Sequence, residues 1–475
     1  MIRWGISAGH HDAAISVFED NKILFAGHAE RYSGIKNDKN LNKALVQDAM
    51  QYGEPETLYW HESPFWKNTR RLYSGLPWQK NNVKKLLRSY GLDYWTVKYT
   101  THHKSHAAAG MFTSPFINGS VIVIDAIGEW TTSSIWSGAL GKRWSTRYPT
   151  SLGMFYSAIT DRCELKANED EYILMGMAAY GDPDRFYNDM KPLLQQNLQR
   201  GCRSFMQHID DPHKTLYFDF AAAAQKIYEE EFRKILEISK KWDYTNNLVL
   251  QGGCALNCVA NTIALEYYDN VWIMPNPGDA GSSLGAVLAH TQEHVDFTPY
   301  LGYNIEGMYP VWPVLSELLK GNIVGVANGR AEFGPRALGN RSLLADPRGK
   351  DIKDKVNKIK RRQEFRPFAP VIMEEHADKY FHMPVKEAPF MQYTVKCKEP
   401  EKYPAIVHYD GTSRVQTVNK KQHLGLYSLL NEFYFETGCP MLLNTSLNIK
   451  GKPIVNTKSD GQAFERKYGV KVCTS

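Results

Sequence analysis

The sequence predicts an α/β protein with a duplicated N-terminal domain and a second α/β domain in its last third. Three observations carry that reading. Residues 1–19 run strand, polar loop, strand (IRWGIS, AGHHDA, AISVFE), and residues 120–136 run the same way (SVIVID, AIGEW, TTSSIW). Around residues 300–320 turn formers gather (Pro299, Gly302, Pro310, Pro313) before a new strand pattern opens at Gly321. The expected division is therefore 1–305 and 306–475.

Composition bounds the answer. With 43% apolar and 23% charged residues, the 475-residue chain can bury cores for two or three domains, which excludes collagen, disorder and low complexity. A net charge of +6 tolerates anionic small molecules but lacks the strong basic bias of a nucleic-acid binder, so no nucleic-acid partner is expected. No run reaches the roughly 18 apolar residues of a membrane helix, and Met1 leads straight into a strand pattern without a signal-like segment. Seven scattered cysteines read as reduced thiols, and Cys254 and Cys258 lack the second pair a zinc site needs. A cytoplasmic protein is expected.

The two hairpins each place an Asp (Asp12, Asp125) and a glycine (Gly9, Gly128) at the turn between apolar strands. Such a tip offers N–H groups and a carboxylate to a phosphate or its metal. One hairpin opening each half is the arrangement of actin-like, sugar-kinase and Hsp70-type domains (the ASKHA, ribonuclease-H-like class), although unduplicated α/β enzymes also carry hairpins of this kind. Between them, Thr101–Gly110 reads as a helix, because alanines follow His103 and β-branched residues do not. His102 and His106 then share one face, either as hydrogen-bonded histidines or as half of a divalent-metal site. Asp125 and Asp279 are the distant acids that could complete it, since two His plus carboxylate suits Fe(II) or a similar ion. His10 and His11 lie in the first hairpin, and His11 with Asp12 could reach the same place for proton transfer.

Asn247–Leu250 is a short strand, followed by Gly252, Gly253 and Asn257 and a helical stretch to about Tyr268. Strand, paired glycines, helix is how backbone approaches a nucleotide. Asp279 opens the small-residue helix around Leu284–Val287, as a cap or as a metal ligand. Beyond Gly321 the motif around Arg330, Arg336 and Arg341 combines arginine forks with glycines, a composition suited to phosphate or carboxylate oxygens. Residues 350–366 read as a long basic helix, with Lys360, Arg362 and Arg366 near its end. A charge run is usually a solvated face, but Phe365–Pro370 is not, so some of these cations are expected to point into a site. Arg414, and Asn444 and Ser446 after the strand Met441–Leu443, add polar groups. Separated cationic turns favour one polyanionic small ligand over a nucleic-acid groove.

These segments together resemble the NodU/tobramycin carbamoyltransferase family. GISAGHHDAA, HHKSHAAAG, VIVIDAIGEW, LQGGCALNCVAN, PNPGDAGSSLGA, GRAEFGPRALGNRSLLADPR, FRPFAP, DGTSRVQTV and PMLLNTSLNIKGKPIV follow family order over about residues 5–455. The resemblance implies an ATP-dependent O-carbamoyltransferase with an actin-like N-terminal domain, similar to the tRNA threonylcarbamoyl transferases, and a YrdC-like C-terminal domain. It implies that carbamoyl phosphate and ATP, with Mg(II), form carbamoyl adenylate in the C-terminal domain. The carbamoyl group would then pass to a hydroxylated small molecule beside an Fe(II) ion in the N-terminal domain. By motif it places His102, His106 and Asp279 as metal ligands, and His11 and Asp125 on substrate-cleft positions; Asp12 is expected beside His11 from its place in the hairpin alone. Gly252, Gly253 and Asn257 are expected to approach a nucleotide from the strand–glycine–helix pattern alone. Lys360, Arg366, Arg414 and Ser446, with Arg336 after them, fall on the adenylate-forming pocket; Arg362 and Asn444 are expected there from their residue types alone.

Two departures stand out. Ile173 occupies the place of a family lysine in EYILMG, and the chain is shorter than typical members. Two competing readings are a tRNA threonylcarbamoyl-type modification enzyme and a non-catalytic actin-like nucleotide switch. The acceptor is not legible in the sequence, which leaves room for a homodimer but does not require one.

Overall fold

In the computed structural model, residues 1–9, 11–79, 82–92, 96–138, 140–209 and 213–474 are described. Of the residues singled out above, only His10 lies outside them. The first sheet begins with an antiparallel meander of β1 (Ile2–Ser7), β2 (Ala14–Glu19) and β3 (Lys22–His28), and β4 (Thr57–Trp60) and β5 (Thr96–Tyr99) add in parallel on the other side of β1. Its strand order is β3-β2-β1-β4-β5. The second sheet repeats this with β6 (Ser120–Ile124), β7 (Thr131–Ser137), β8 (Gly141–Arg147), β9 (Asn247–Gln251) and β10 (Asn270–Ile273). Its order is β10-β9-β6-β7-β8, with β6–β7 and β7–β8 antiparallel and β6–β9 and β9–β10 parallel. Identical order and identical sense establish the duplication and the actin-like fold of this part.

The local sequence explains the placement. β6 is buried at all five positions and apolar at the last four, as a central strand covered on both faces is expected to be. β8 carries Lys142, Arg143 and Arg147 on an exposed edge, which discourages pairing with another chain. The helices His102–Thr113 and Ser282–Thr291 pack against each other so closely that a Cβ on Gly285 would stand 1.8 Å from the carbonyl oxygen of Ser105. The stretch after β9 is not one helix. Asn257 leaves helical geometry (φ −76°, ψ 84°) and caps Cys258–Asn261, so residues 253–266 form three short turns.

Residues 298–475 form a separate compact unit together with 30–38; residues 1–29 and 39–297 form the other. β11 (Tyr300–Ile305), which lies on the N-terminal side of the expected boundary, pairs in this second unit with β13 (Gly329–Glu332). The main sheet holds β12 (Val324–Ala327), β14 (Arg341–Ala345), β15 (Ala369–Met373), β18 (Gln416–Val418), β19 (Met441–Ser446) and β20 (Val472–Cys473), in the order β18-β15-β19-β14-β12-β20. β16 (Val395–Lys396) and β17 (Thr412–Ser413) make a small ladder. The basic helix is short, Ile352–Lys360. Arg361 adopts a left-handed conformation (φ 53°) and the Arg362 amide returns to the Asn357 carbonyl, which leaves Arg362 and Arg366 on a loop rather than on a helix. Two of the three motif arginines hold backbone instead of presenting themselves to an anion. Arg341, fully buried, donates to the carbonyls of Tyr303, Asn328, Gly329, Asn340 and Asn456. Arg330 donates to Leu301 and Gly302.

His423 yields a pH prediction. Its Nδ1 accepts from the Leu426 amide as the N-cap of the helix Leu424–Thr437, and its Nε2 donates to Asn340 Oδ1 at 2.8 Å. Burial lowers its pKa from 6.5 to about 4, against the pull of Glu332. A folded-state pKa below the unfolded one makes this contribution complete above pH 6.5 and lost as pH falls towards 4, by roughly 2–3 kcal/mol. Hydrogen exchange across Leu424–Thr437 should show that loss in wild type. His423→Asn, which still caps but does not titrate, should flatten it; equal pH slopes in the two proteins would refute the assignment.

Candidate active site

The first unit gathers a histidine–carboxylate cluster. Thr101 precedes the helix that puts His102 and His106 one turn apart, and the His102 amide donates to both oxygens of Glu129 (3.0 and 3.2 Å). Asp125 follows the last residue of β6, and Asp279 opens the turn before Ser282–Thr291. Gly252 allows this assembly. Its φ is +88°, and a Cβ there would meet the Ile124 carbonyl oxygen at 2.1 Å; the next amide, of Gly253, donates to Asp125 Oδ1 at 3.4 Å.

The distances converge. His102 Nε2 lies 2.9 Å from Asp125 Oδ2, 3.4 Å from Asp279 Oδ1 and 3.1 Å from His106 Nε2, which is itself 3.3 Å from Asp279 Oδ1. One ligand atom from each of the four residues falls within 4.8 Å of all the others, and all four residues are buried. Two imidazole nitrogens facing each other between two carboxylates require a positive charge among them, and a divalent cation fits this donor set. Burial opposes ionisation of both acids, yet the histidines hold Asp125 and Asp279 well below the usual carboxylate range. Against burial, Asp279 and Asp125 raise His102 to about 9.

His11 joins from the first hairpin. Its Nδ1 is 2.8 Å from Asp12 Oδ2 and its Nε2 3.6 Å from Asp279 Oδ2, while its side chain remains 40% exposed and so reachable by a substrate. Burial works against its protonation, but Asp279 and then Asp12 raise its pKa to about 10. Asn257 is engaged in structure: it caps a turn and exchanges two hydrogen bonds with Gln225. The residue at the departure from the family, Ile173, is buried.

Three residues beside the cluster received no role from the sequence. Glu129 caps the histidine helix, and His61 and Glu62 lie against His102, with the His61 and His102 rings 5.7 Å apart. Only Glu129 was signalled, by its place in AIGEW; His61 and Glu62 follow β4, a strand whose pairing the sequence does not reveal.

In the second unit Lys360, the last residue of its helix, donates to the carbonyl and hydroxyl oxygens of Ser446 and to Asn448 Oδ1. It is buried, and among the described residues no carboxylate lies within ion-pair range of it. Burial, then Arg362 and Arg366, push its pKa well below the lysine range. Asn444 and Ser446, two apart on β19, share a face. Asn444 donates to Gln416 Oε1 and to the carbonyl of Ala337, next to Arg336, while its own Oδ1 is buried without a partner. Arg414 lies between β17 and β18 with a buried Nε that makes no hydrogen bond. Arg362 packs on Phe368, 3.9 Å from the ring centroid, and bonds Asn357 and Pro367. The structure thus joins Lys360 to Ser446 and Asn444 to the Arg336 loop.

An actin-like α/β fold with a buried histidine–carboxylate centre is followed by a second α/β unit with a buried lysine that, among the described residues, has no carboxylate in ion-pair range, the arrangement of an α/β enzyme with two polar centres. Residues 68–288 match the family model of the carbamoyltransferase N-terminus, and residues 315–473 that of the carbamoyltransferase C-terminus. The chain is 30% identical to nodulation protein NolNO of Sinorhizobium fredii over 95% of this chain and 76% of that protein. It is 33% identical to NolO of Bradyrhizobium diazoefficiens over 76% and 74% of the two chains. Its identity to the 3'-hydroxymethylcephem-O-carbamoyltransferase of Amycolatopsis lactamdurans is 26%, over 97% and 95%. The chain belongs to the carbamoyltransferase family and is a transferase of the NodU and cephem O-carbamoyltransferase type. All seven cysteines are free, and no helix among the described residues is long and apolar enough to cross a membrane.

Proposed function

We propose that this carbamoyltransferase is ATP-dependent and divides its reaction between two sites. In residues 298–475, water cleaves carbamoyl phosphate to carbamate and phosphate. A carbamate oxygen then attacks the α-phosphorus of ATP, delivered with Mg(II); carbamoyl adenylate forms and pyrophosphate leaves. In the first unit the hydroxyl oxygen of a small-molecule acceptor attacks the carbamoyl carbon, the bond to AMP breaks, and the hydroxyl proton passes to His11.

The observation that carries this reading is Lys360, a buried amine that donates to Ser446 and Asn448 and has no carboxylate in ion-pair range among the described residues. Burial, then Arg362 and Arg366, depress its pKa, so that a phosphate anion arriving there would restore its charge. Fixed cations without counterions stabilise charge developing on phosphate oxygens. Arg414, Arg336, Asn444 and Ser446 would complete that pocket. An Fe(II) ion held by His102, His106 and Asp279, with Asp125 at hand, would polarise the carbamoyl carbonyl and offset the Asp279 charge that keeps His11 protonated. The cephem relative, by its name, acts on a hydroxymethyl group, which agrees with an alcohol as acceptor.

Incubation with carbamoyl phosphate and Mg-ATP, without acceptor, tests the first half. Pyrophosphate should appear only when both are present, and a chemical trap should recover a carbamoylated product. Nucleotide binding without any pyrophosphate, with or without added Fe(II), would favour the nucleotide-switch reading instead.

A further inference from the structure

The helix Pro64–Tyr73 starts beside the histidine cluster and carries a face of its own. Its N-cap, Ser63, gives its amide to Glu129 Oε1 at 2.8 Å, the same oxygen that accepts from the His102 amide. The residue after Glu129 is Trp130, whose Nε1 donates to Thr69 Oγ1 on that helix at 3.0 Å. Tyr73 lies four residues beyond Thr69 and three beyond Arg70, so the helical period makes it a neighbour of both. The Tyr73 and Trp130 rings are 5.3 Å apart and inclined at 57°, two walls of a V, and Tyr148 stands edge-on to Tyr73 at 6.4 Å. Tyr73 is 69% exposed, so a wall of the V faces solvent.

Two polar groups at this corner lack partners. Arg70 is buried, its Nε makes no hydrogen bond, and among the described residues no carboxylate pairs with it. The acids nearest in charge are committed elsewhere: Glu62 to Lys67 at 3.0 Å, and Glu129 to the two amides. The guanidinium carbon lies 6.0 Å from the centroid of the Tyr148 ring, and among the described residues the buried Tyr148 hydroxyl makes no hydrogen bond. A buried cation and a buried hydroxyl left unsatisfied are costly unless a ligand completes them.

We propose that Arg70, Tyr73, Trp130 and Tyr148 form the acceptor subsite, and that it takes an anionic saccharide. The sugar ring lies in the V of Tyr73 and Trp130, its carboxylate, sulfate or phosphate meets the Arg70 fork, and a ring hydroxyl points past Glu129 towards the histidine cluster. Exposed aromatic faces fit the apolar faces of a pyranose, and a planar fork fits an oxyanion. The inference rests on the carbamoyl-transfer reading for its reaction, but not for its binding.

Binding is therefore measured on the full chain without ATP or carbamoyl phosphate, by tryptophan fluorescence and saturation-transfer NMR. The probes are methyl β-D-glucuronide, its neutral counterpart methyl β-D-glucoside, and glucose 6-sulfate and 6-phosphate. Wild type should bind at least one anionic probe about tenfold tighter than the glucoside, and the three anions identify which oxyanion fits. Arg70→Gln should erase the preference. Tyr73→Ala, at an exposed position that leaves the core intact, should weaken the anionic and neutral sugars together. Equal affinity of wild type for charged and neutral sugars would overturn the proposal, as would unchanged affinities in Tyr73→Ala should Arg70→Gln fail to fold. Tight binding of an anionic sugar that is never carbamoylated would count against the transfer reaction and leave the subsite standing.

Discussion

If the histidine–carboxylate cluster holds a metal as proposed, replacing Asp279 by alanine should abolish metal binding and reduce carbamoyl transfer by about a thousandfold or more, the scale of several kcal/mol of Lewis-acid stabilisation. Asp279 is the hub of the cluster: one carboxylate oxygen lies 3.4 Å from His102 Nε2 and 3.3 Å from His106 Nε2, the other 3.6 Å from His11 Nε2. Removing it leaves two imidazoles and Asp125, and it also removes the largest attraction that raises His102 to about 9. In wild type, metal binding must displace that proton, so affinity should climb as pH rises towards 9 and fall below neutrality. In Asp279→Ala the pH dependence should shrink along with the affinity. Metal content of the purified protein, and Fe(II) or Mn(II) titrations at several pH values, read both effects. Undiminished metal content in the variant would remove Asp279 from the ligand set.

Lys360→Met should separate stability from activity. The wild-type amine sits in a buried place with only neutral oxygens as hydrogen-bond acceptors, and burial holds its folded-state pKa well below 10.5. At neutral pH a protonated lysine therefore favours the unfolded chain, and a flexible apolar side chain of similar length should stabilise the second unit by about 1–2 kcal/mol. The Ser446 hydroxyl keeps Asn448 Oδ1 at 2.7 Å when the ammonium is gone. Pyrophosphate release should fall by about 10²–10³-fold, the loss typical of a fixed charge aimed at a transition state. Thermal unfolding with and without Mg-ATP sharpens the test: the nucleotide should raise the wild-type midpoint and leave that of Lys360→Met unmoved. A variant that lost stability and kept its ATP response would mean that Lys360 serves the fold alone.

The two sites differ in how far a linear text could describe them. His102 and His106 are four apart on an alanine-rich helix, so their common face follows from helical geometry. Asp125 and Asp279 are marked by the apolar strand and the small-residue helix beside them. The duplicated strand order was legible because the hairpin at residues 1–19 recurs at 120–136. Other features were not. Arg330 and Arg341 look like phosphate forks in the sequence, but each is consumed by carbonyls from loops far along the chain. The basic run at 350–366 looks like one helix, yet it ends at Lys360, because the left-handed turn at Arg361 and the bond from the Arg362 amide to Asn357 are settled by packing. His61, Glu62 and Arg70 carry no local pattern at all.

Periodicity and turn chemistry, which act over a few residues, were enough to specify the α/β class, the repeat and the histidine pair. Which cation is left without a counterion was settled only when strands distant in sequence were paired. Charge is long-ranged and indifferent to chain order: Lys67 reached Glu62 and Glu129 took two amides, so among the described residues Arg70 has no carboxylate partner, and Lys360 closed on Ser446 without one.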